Sequence, residues 1–188
     1  MSLARLPRRG GALCLDFVNT IDPRYGDDRI EYVGDYAALV DWSVWVGALP
    51  AGRRDALLAA DGGDAALARA HALRERLHAL LGPRRDAQAL AGFNGELRRL
   101  GRHAELRPAG ERYALGWEAT GAADELLWPV VRSAAELMVS PALDCVRECD
   151  GENCGWLFLD TSKAGRRRWC SMEICGNRAK ARRHRART

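Results

Sequence analysis

RECDGENCGWLFLDTSKAGRRRWCSMEICGNRAKARRHRART, residues 147–188, decides how the rest of the chain is read. Four cysteines in it, Cys149, Cys154, Cys170 and Cys175, form two C-x4-C pairs with fifteen residues between them. Zinc takes four ligands at tetrahedral corners, and a short loop carrying Gly151 or Gly155 can curl two thiolates onto one ion. A second pair at a turn-to-helix corner completes the cage. Trp156, Leu157 and Phe158 follow the first pair and are expected to form a small strand beside the metal. So small a unit cannot fold on its own apolar burial, so metal binding would supply much of its stability. One structural zinc per chain is therefore expected. With all four positions filled by thiolates it would not activate water.

The remaining cysteines lack such partners. Cys14 lies in an apolar stretch and Cys145 four residues before Cys149, so both read as small core residues. His184, deep in the basic end, is the weaker ligand candidate.

Outward from the cysteines the charge changes sharply. From Lys163 to Thr188 there are ten Lys or Arg and one acid, Glu173, a net +9; the formal total of +4 leaves −5 for the rest. An acidic body with a basic end suggests a polyanion-binding tail, against the plainer reading of a solvated end. Arg166, Arg167 and Arg168 lie between the cysteine pairs. Arg178, Lys180, Arg182, Arg183, Arg185 and Arg187 follow the last ligand. The final segment has good helix formers and no breaker, so a terminal helix from about Ser171 is predicted. Arg178, Arg182 and Arg185 would share one face and Lys180, Arg183 and Arg187 another. Arginine forks suit phosphate, and a zinc-presented helix can enter a DNA major groove.

The body, residues 1–140, reads as mainly helical with a small β element, an α+β chain ending in a finger module over 141–188. Hydrophobic residues make up 47% of the 188, enough for a sizeable core, and no apolar run is long enough to cross a bilayer. The N-terminus carries Arg5, Arg8 and Arg9, then GALCLDFVNT over 11–20. Leu13, Leu15 and Phe17 alternate there, so the stretch reads as a buried strand rather than a signal peptide. A cytoplasmic location is expected, where paired cysteines point to metal rather than disulfides. Residues 21–34 are a predicted loop. Leu39, Trp42, Val46 and Leu49 follow a helical period, with Asp35 as cap and Pro50 as stop. A short helix is expected over 52–60, and a long one runs from Asp64 to Leu81 with Leu67, Ala70, Leu73, Leu77 and Leu80 as its stripe. Another covers about 85–100 with Leu90, Phe93, Leu97 and Leu100 inward. A hairpin pairs 103–107 with 111–117, and a helix over 122–139 is kinked or started by Pro129.

The run Cys175-Gly176-Asn177-Arg178, preceded by Trp169-Cys170-Ser171-Met172 and by Trp156 to Ser162, resembles the CGNR zinc finger. Leu13-Cys14-Leu15-Asp16-Phe17-Val18-Asn19-Thr20 resembles the start of the ABATE domain that accompanies this finger in bacteria; the Trp42 helix and the Ala70-to-Leu77 helix add to the likeness. The resemblance implies a stress-induced transcription regulator whose finger binds DNA. It makes Arg178 the motif arginine, contacting DNA or bracing the knuckle through backbone carbonyls. Gly176 and Asn177 would suit the tight backbone beside the last ligand, and Asp160 would cap a turn with Thr161 and Ser162.

The body would then sense a small-molecule effector or hold a partner. Asp16 and Asn19 are polar within an apolar stretch, and Arg74 lies one step off the long helix's stripe. A buried charge needs a partner, so an Asp16–Arg74 pair is expected, tying elements together or lining a ligand pocket with Asn19. No P-loop, G-x-G-x-x-G, G-x-S-x-G, H-E-x-x-H or C-x-x-C occurs, and the four histidines have no triad context. A non-enzyme is expected. An RNA-binding zinc protein, a protein–protein module and an unrecognised enzyme in the body are the alternatives. Trp156 and Trp169 could pack on the knuckle or stack on bases. A homodimer would suit paired half-sites on DNA.

Overall fold

The computed structural model describes residues 6–186, so Arg5 and Arg187 lie outside the described residues. The chain is α+β. Its helices are α1 (Leu13–Val18), α2 (Tyr36–Trp45), α3 (Arg54–Leu58), α4 (Gly63–Leu81), α5 (Leu90–Gly101), α6 (Trp128–Met138) and α7 (Asn177–Arg185). Among the described residues three antiparallel strand pairs join them: β1 (Ile21–Asp22) with β2 (Ile30–Glu31), β3 (Ala104–Ala109) with β4 (Arg112–Trp117), and β5 (Val146–Glu148) with β6 (Leu157–Leu159).

The stretch read as a strand is helix α1, and it occupies the centre of the molecule. Cys14, Leu15, Asp16, Phe17 and Val18 are all buried, between α4 and α6 and beside β6. A segment buried on every side has no solvent face to set its period, so alternation of Leu13, Leu15 and Phe17 could not discriminate strand from helix. Backbone chemistry decides it. The amides of Leu15 and Asp16 donate to the Ala12 carbonyl, and Asp16 accepts from the Gly10 amide at 2.8 Å. Gly10 is held so close to α1 that a Cβ there would lie 2.6 Å from the Leu15 Cβ. Burial pushes the Cys14 thiol up to about 11, which suits an inert core residue.

α4 forms where the sequence places it, but α2 ends at Trp45, short of the expected stop at Pro50: Gly47 turns the chain at φ 78°, and Val46 and Leu49 reach the core from beyond the helix. The Asp35 carboxylate caps α2 by accepting from the Ala38 amide at 2.7 Å. α4 buries Ala70, Leu73 and Leu77 completely. Pro129 lies in the first turn of α6, where its missing N–H costs nothing, so it starts that helix rather than kinking it. α5 is shorter than its pattern. Arg85 is left-handed at φ 48° and Asp86 caps a single turn ahead of Leu90. Leu90 and Leu97 are exposed, while Glu96 turns inward to an ion pair with Arg69, which also grips Asp124. Phe93 and Leu100 alone carry the apolar face of α5. The β3–β4 hairpin turns through Gly110, at φ 64°, and lies almost wholly in solvent; its last residue, Trp117, packs edge-on against Trp128. Cys145, read as a core residue, is exposed at the end of the turn Pro141–Cys145.

The finger and the body share one hydrophobic core. Trp156, Leu157 and Phe158 belong to the same buried cluster as Phe17, Trp42 and Leu77. Backbone bonds run between the two along a seam: Leu159 N to Gly10 O, Arg24 N to Cys154 O and Tyr25 N to Asn153 O, each 2.8–2.9 Å.

Candidate metal centre and basic helix

Local backbone brings the four cysteines together. Cys149 follows β5, and its amide donates to the Trp156 carbonyl across the knuckle at 2.8 Å. The chain turns back through Gly151 and the left-handed Asn153 to Cys154. A Cβ on Gly151 would lie 2.9 Å from Cys175 Sγ, so glycine there leaves room for the second pair. Cys170 leads into a wide helical turn over Met172–Gly176, capped by the Ser171 hydroxyl, which accepts from Ile174 N; Cys175 projects from that turn. Asn177 donates to the Glu173 carbonyl at 3.1 Å and ties the turn to α7.

The ligand atoms of Cys149, Cys154, Cys170 and Cys175 all lie within 4.8 Å of one another, and all four residues are buried. Cys154 and Cys170 Sγ are 3.8 Å apart, Cys170 and Cys175 Sγ 3.7 Å. Sulfurs about 2.3 Å from a tetrahedral zinc are separated by about 3.8 Å, so the spacing fits that ion. The amides of Gly151 and Cys170 point at Cys149 Sγ, at 3.4 and 3.2 Å, and favour thiolate. Without a cation, Cys154 and the other two thiols hydrogen-bond to Cys149 and lower it far below its ordinary range, while Cys154 and Cys170 are raised. Metal ligation requires thiolates, and a divalent cation at the centre is what lets all four ionise together. The donor set therefore fits one structural zinc.

The basic residues divide by employment. Arg167 belongs to the knuckle: its guanidinium donates to the carbonyls of Trp169 and Cys170, at 3.0 and 2.5 Å, and lies 4.3 Å over the Phe158 ring. Arg168 pairs with Asp150 and Arg182 with Glu152, at 2.7 and 2.6 Å. Arg178 makes no hydrogen bond or ion pair among the described residues, so it does not brace carbonyls as one expectation had it. Arg166, Arg178, Lys180, Arg183 and Arg185 are exposed, and α7 buries no residue at all. Trp156 is buried with its indole N–H on the Ile21 carbonyl, which removes it as a platform for bases. Asp160 caps its turn by accepting from Ser162 N and Oγ and from Arg167 N; the Ser162 hydroxyl is the first cause that holds its carboxyl below the usual range.

Asp16, Asn19 and Arg74 do not meet as a pair or pocket. Arg74 forks onto Glu31 with bonds of 2.7 and 2.6 Å and also donates to Thr20 Oγ1. Asp16 instead faces Arg8 at 3.5 Å and the Gly10 amide. Both expected partners are buried, but α1 aims Asp16 back over its own entry turn while Arg74 reaches the loop after α1. Asn19 bridges body and finger: its amide N donates to Leu157 O at 2.8 Å and its Oδ1 accepts from Leu157 N at 2.9 Å. It completes β6 as a neighbouring strand would.

Several seam residues escaped the sequence reading. Arg24, buried, pairs with Glu75 at 2.7 Å and donates to Val18 O. His78 bonds the Gly155 carbonyl and Tyr25 the Glu148 carboxylate. Arg24 and Tyr25 lie in the segment read as plain loop, and nothing in their spacing signals a partner. His78 sits seven residues from His71 on α4, a spacing without local meaning.

With this geometry in place, family models divide the chain at the seam. The model of the ABATE domain, described as "putative stress-induced transcription regulator", matches residues 11–141, and that of the CGNR zinc finger matches residues 146–188. The first alone spans well over half the chain, so the protein belongs to the ABATE family, with a C-terminal CGNR zinc finger. No curated protein matches the chain. Among the described residues no helix is long and apolar enough to cross a membrane.

Proposed function

We propose that the protein is a transcription regulator that binds duplex DNA through α7 and the finger loop, with the body as a ligand-sensing or interaction domain. The observation that carries this reading is α7 itself. It starts two residues after the last zinc ligand, buries nothing, and presents Arg178, Lys180, Arg183 and Arg185 to solvent on a mount fixed by the metal. A helix with no apolar face gains nothing by docking on its own protein, so it is free for a polyanion. Arg166, in the finger loop, adds a further exposed charge. Arg167, Arg168 and Arg182 support the reading differently, by orienting the module. Burial of Trp156, with Arg168 lying 5.1 Å over the half-buried Trp169 ring, favours duplex over single-stranded RNA, whose bases need exposed aromatic platforms.

The test uses the zinc-loaded full chain against a Lys180→Gln, Arg183→Gln, Arg185→Gln variant. Duplex binding is measured across a salt series, with RNA of equal length as competitor. Each lost phosphate contact removes about 0.9 from the log–log salt slope, so the variant should bind weaker with a slope shallower by about 2.7. An unchanged slope, or RNA displacing duplex, refutes the reading.

A further inference from the structure

Beside the zinc site lies a cleft of about 380 Å³, bounded by the N-terminal segment on one side and by the finger and α7 on the other. Cys154, Cys170 and Cys175 close one end, with their sulfurs turned toward one another and the metal position. The walls beyond are apolar: Pro7, Pro23, Ile30, Trp156 and Ile174. A volume of this size suits a small ring compound rather than a chain or a polymer.

Set into those walls are charges from both halves of the molecule. Arg9 comes from the N-terminal segment, Asp22 from β1 and Arg178 from α7. None of the three side chains has an ion pair among the described residues, whereas Arg24, Arg69 and Arg74 in the body are each paired. The Asp22 carboxyl accepts no hydrogen bond there; burial raises it, and the Arg178 and Arg9 charges only partly offset that. The remaining charged wall residues, Arg182 and Glu152, satisfy each other. So two guanidiniums, Arg9 half-buried and Arg178 exposed, and one half-buried carboxylate line an apolar cleft with unused hydrogen-bonding capacity.

We propose that this cleft binds a small organic anion with an apolar body and a hydrogen-bond donor. Arg9 and Arg178 hold the carboxylate or phosphate group, and Asp22 accepts from the donor. The forked guanidinium suits such an oxyanion, and the apolar ring lies against Ile30 and Ile174. The site belongs to neither domain alone, because one gripping arginine comes from each. Its regulatory consequence rests on the DNA-binding reading above: an anion here neutralises Arg178 and lowers the positive potential beside α7, which weakens the duplex complex.

Binding is tested first without DNA, by NMR titration of the zinc-loaded full chain. 4-Aminobenzoate supplies all three features, benzoate lacks the donor and aniline lacks the anion. Backbone signals of Ile30, Ile174 and Arg178 should shift with millimolar 4-aminobenzoate, less with benzoate and not with aniline. Arg9→Gln and Arg178→Gln should each weaken 4-aminobenzoate about tenfold, the loss of a charge-assisted fork. Asp22→Asn should narrow the advantage of 4-aminobenzoate over benzoate. Zinc content, measured alongside, confirms that each variant keeps its finger, and Lys180→Gln, outside the cleft, should bind as wild type. No shifts with any of the three probes, or arginine variants that bind unchanged, overturn the site. A second arm adds 4-aminobenzoate to the duplex complex, where affinity should fall about three- to fivefold, the scale of one exposed charge pair. Binding without that fall refutes the regulation and leaves the site; duplex binding that fails before any probe is added refutes the regulator reading instead.

Discussion

The body and the finger are built by different forces and then joined as one core. In the body, α1 is surrounded by the stripes of α2, α4 and α6, and apolar burial dominates. In the finger, residues 160–185 contribute almost no apolar residue to the core apart from Cys170 and Cys175, and the metal does the organising. The strand β6 belongs to both. Leu157 and Phe158 are fully buried in the body's core, yet they follow a zinc ligand by only a few residues. Metal and core therefore meet at a three-residue strand, whose Leu157 and Phe158 lie in the body's core beside the zinc ligands.

Removing the metal should break that coupling most severely. In Cys170→Ser, which loses one ligand and a thiolate neighbour, the whole chain should melt in a single transition at least about 10 °C lower, since a kcal/mol moves Tm by about 2–4 °C at this size. Calorimetry on the variant, with zinc content measured in parallel, checks it. Two separate transitions, the upper one at the wild-type temperature, would mean the finger is an appendage to an independent body.

A smaller loss is expected at the seam. Asn19→Ala leaves the Leu157 amide and carbonyl buried without partners and should cost about 2–4 kcal/mol in urea unfolding. Zinc should stay bound, because Asn19 touches no ligand. A cost below about 1 kcal/mol would show that water replaces the side chain and that the seam is wetter than its burial implies.

The smallest effect is a pH dependence at the second seam contact. Burial, with the nearby Arg24 charge, lowers His78 below its ordinary 6.5, although its bond to the Gly155 carbonyl opposes the shift. The unfolded chain then takes up a proton more readily than the folded one, so stability is full above about 6.5 and falls as pH drops from there through the folded value. Comparing Tm at about pH 7.5 and about pH 5.5, His78→Gln should lose less on acidification than the wild type. Equal losses would show that His78 carries none of the acid sensitivity.

The sequence by itself determined the zinc ligands, the basic end and the periodic helices. Cys149, Cys154, Cys170 and Cys175 were legible because metal ligation depends on residue type and short spacing, both local properties. α2, α4 and α6 were legible because one face of each meets solvent and sets a period. Only the tertiary structure decided what has no local signature. α1 lost its period by being buried on all sides. Asn19 and Leu157 meet across 138 residues. Arg74 found Glu31 rather than Asp16 because the short strand β2, distant in sequence, carries its carboxylate to α4. The arginines of the last forty residues look alike in sequence, yet Arg167 is spent on carbonyls and a ring while Arg183 is left in solvent. Charge and helix propensity are written residue by residue. Which charge is engaged and which is free depends on what the folded chain brings within about 3 Å, and no spacing rule encodes that.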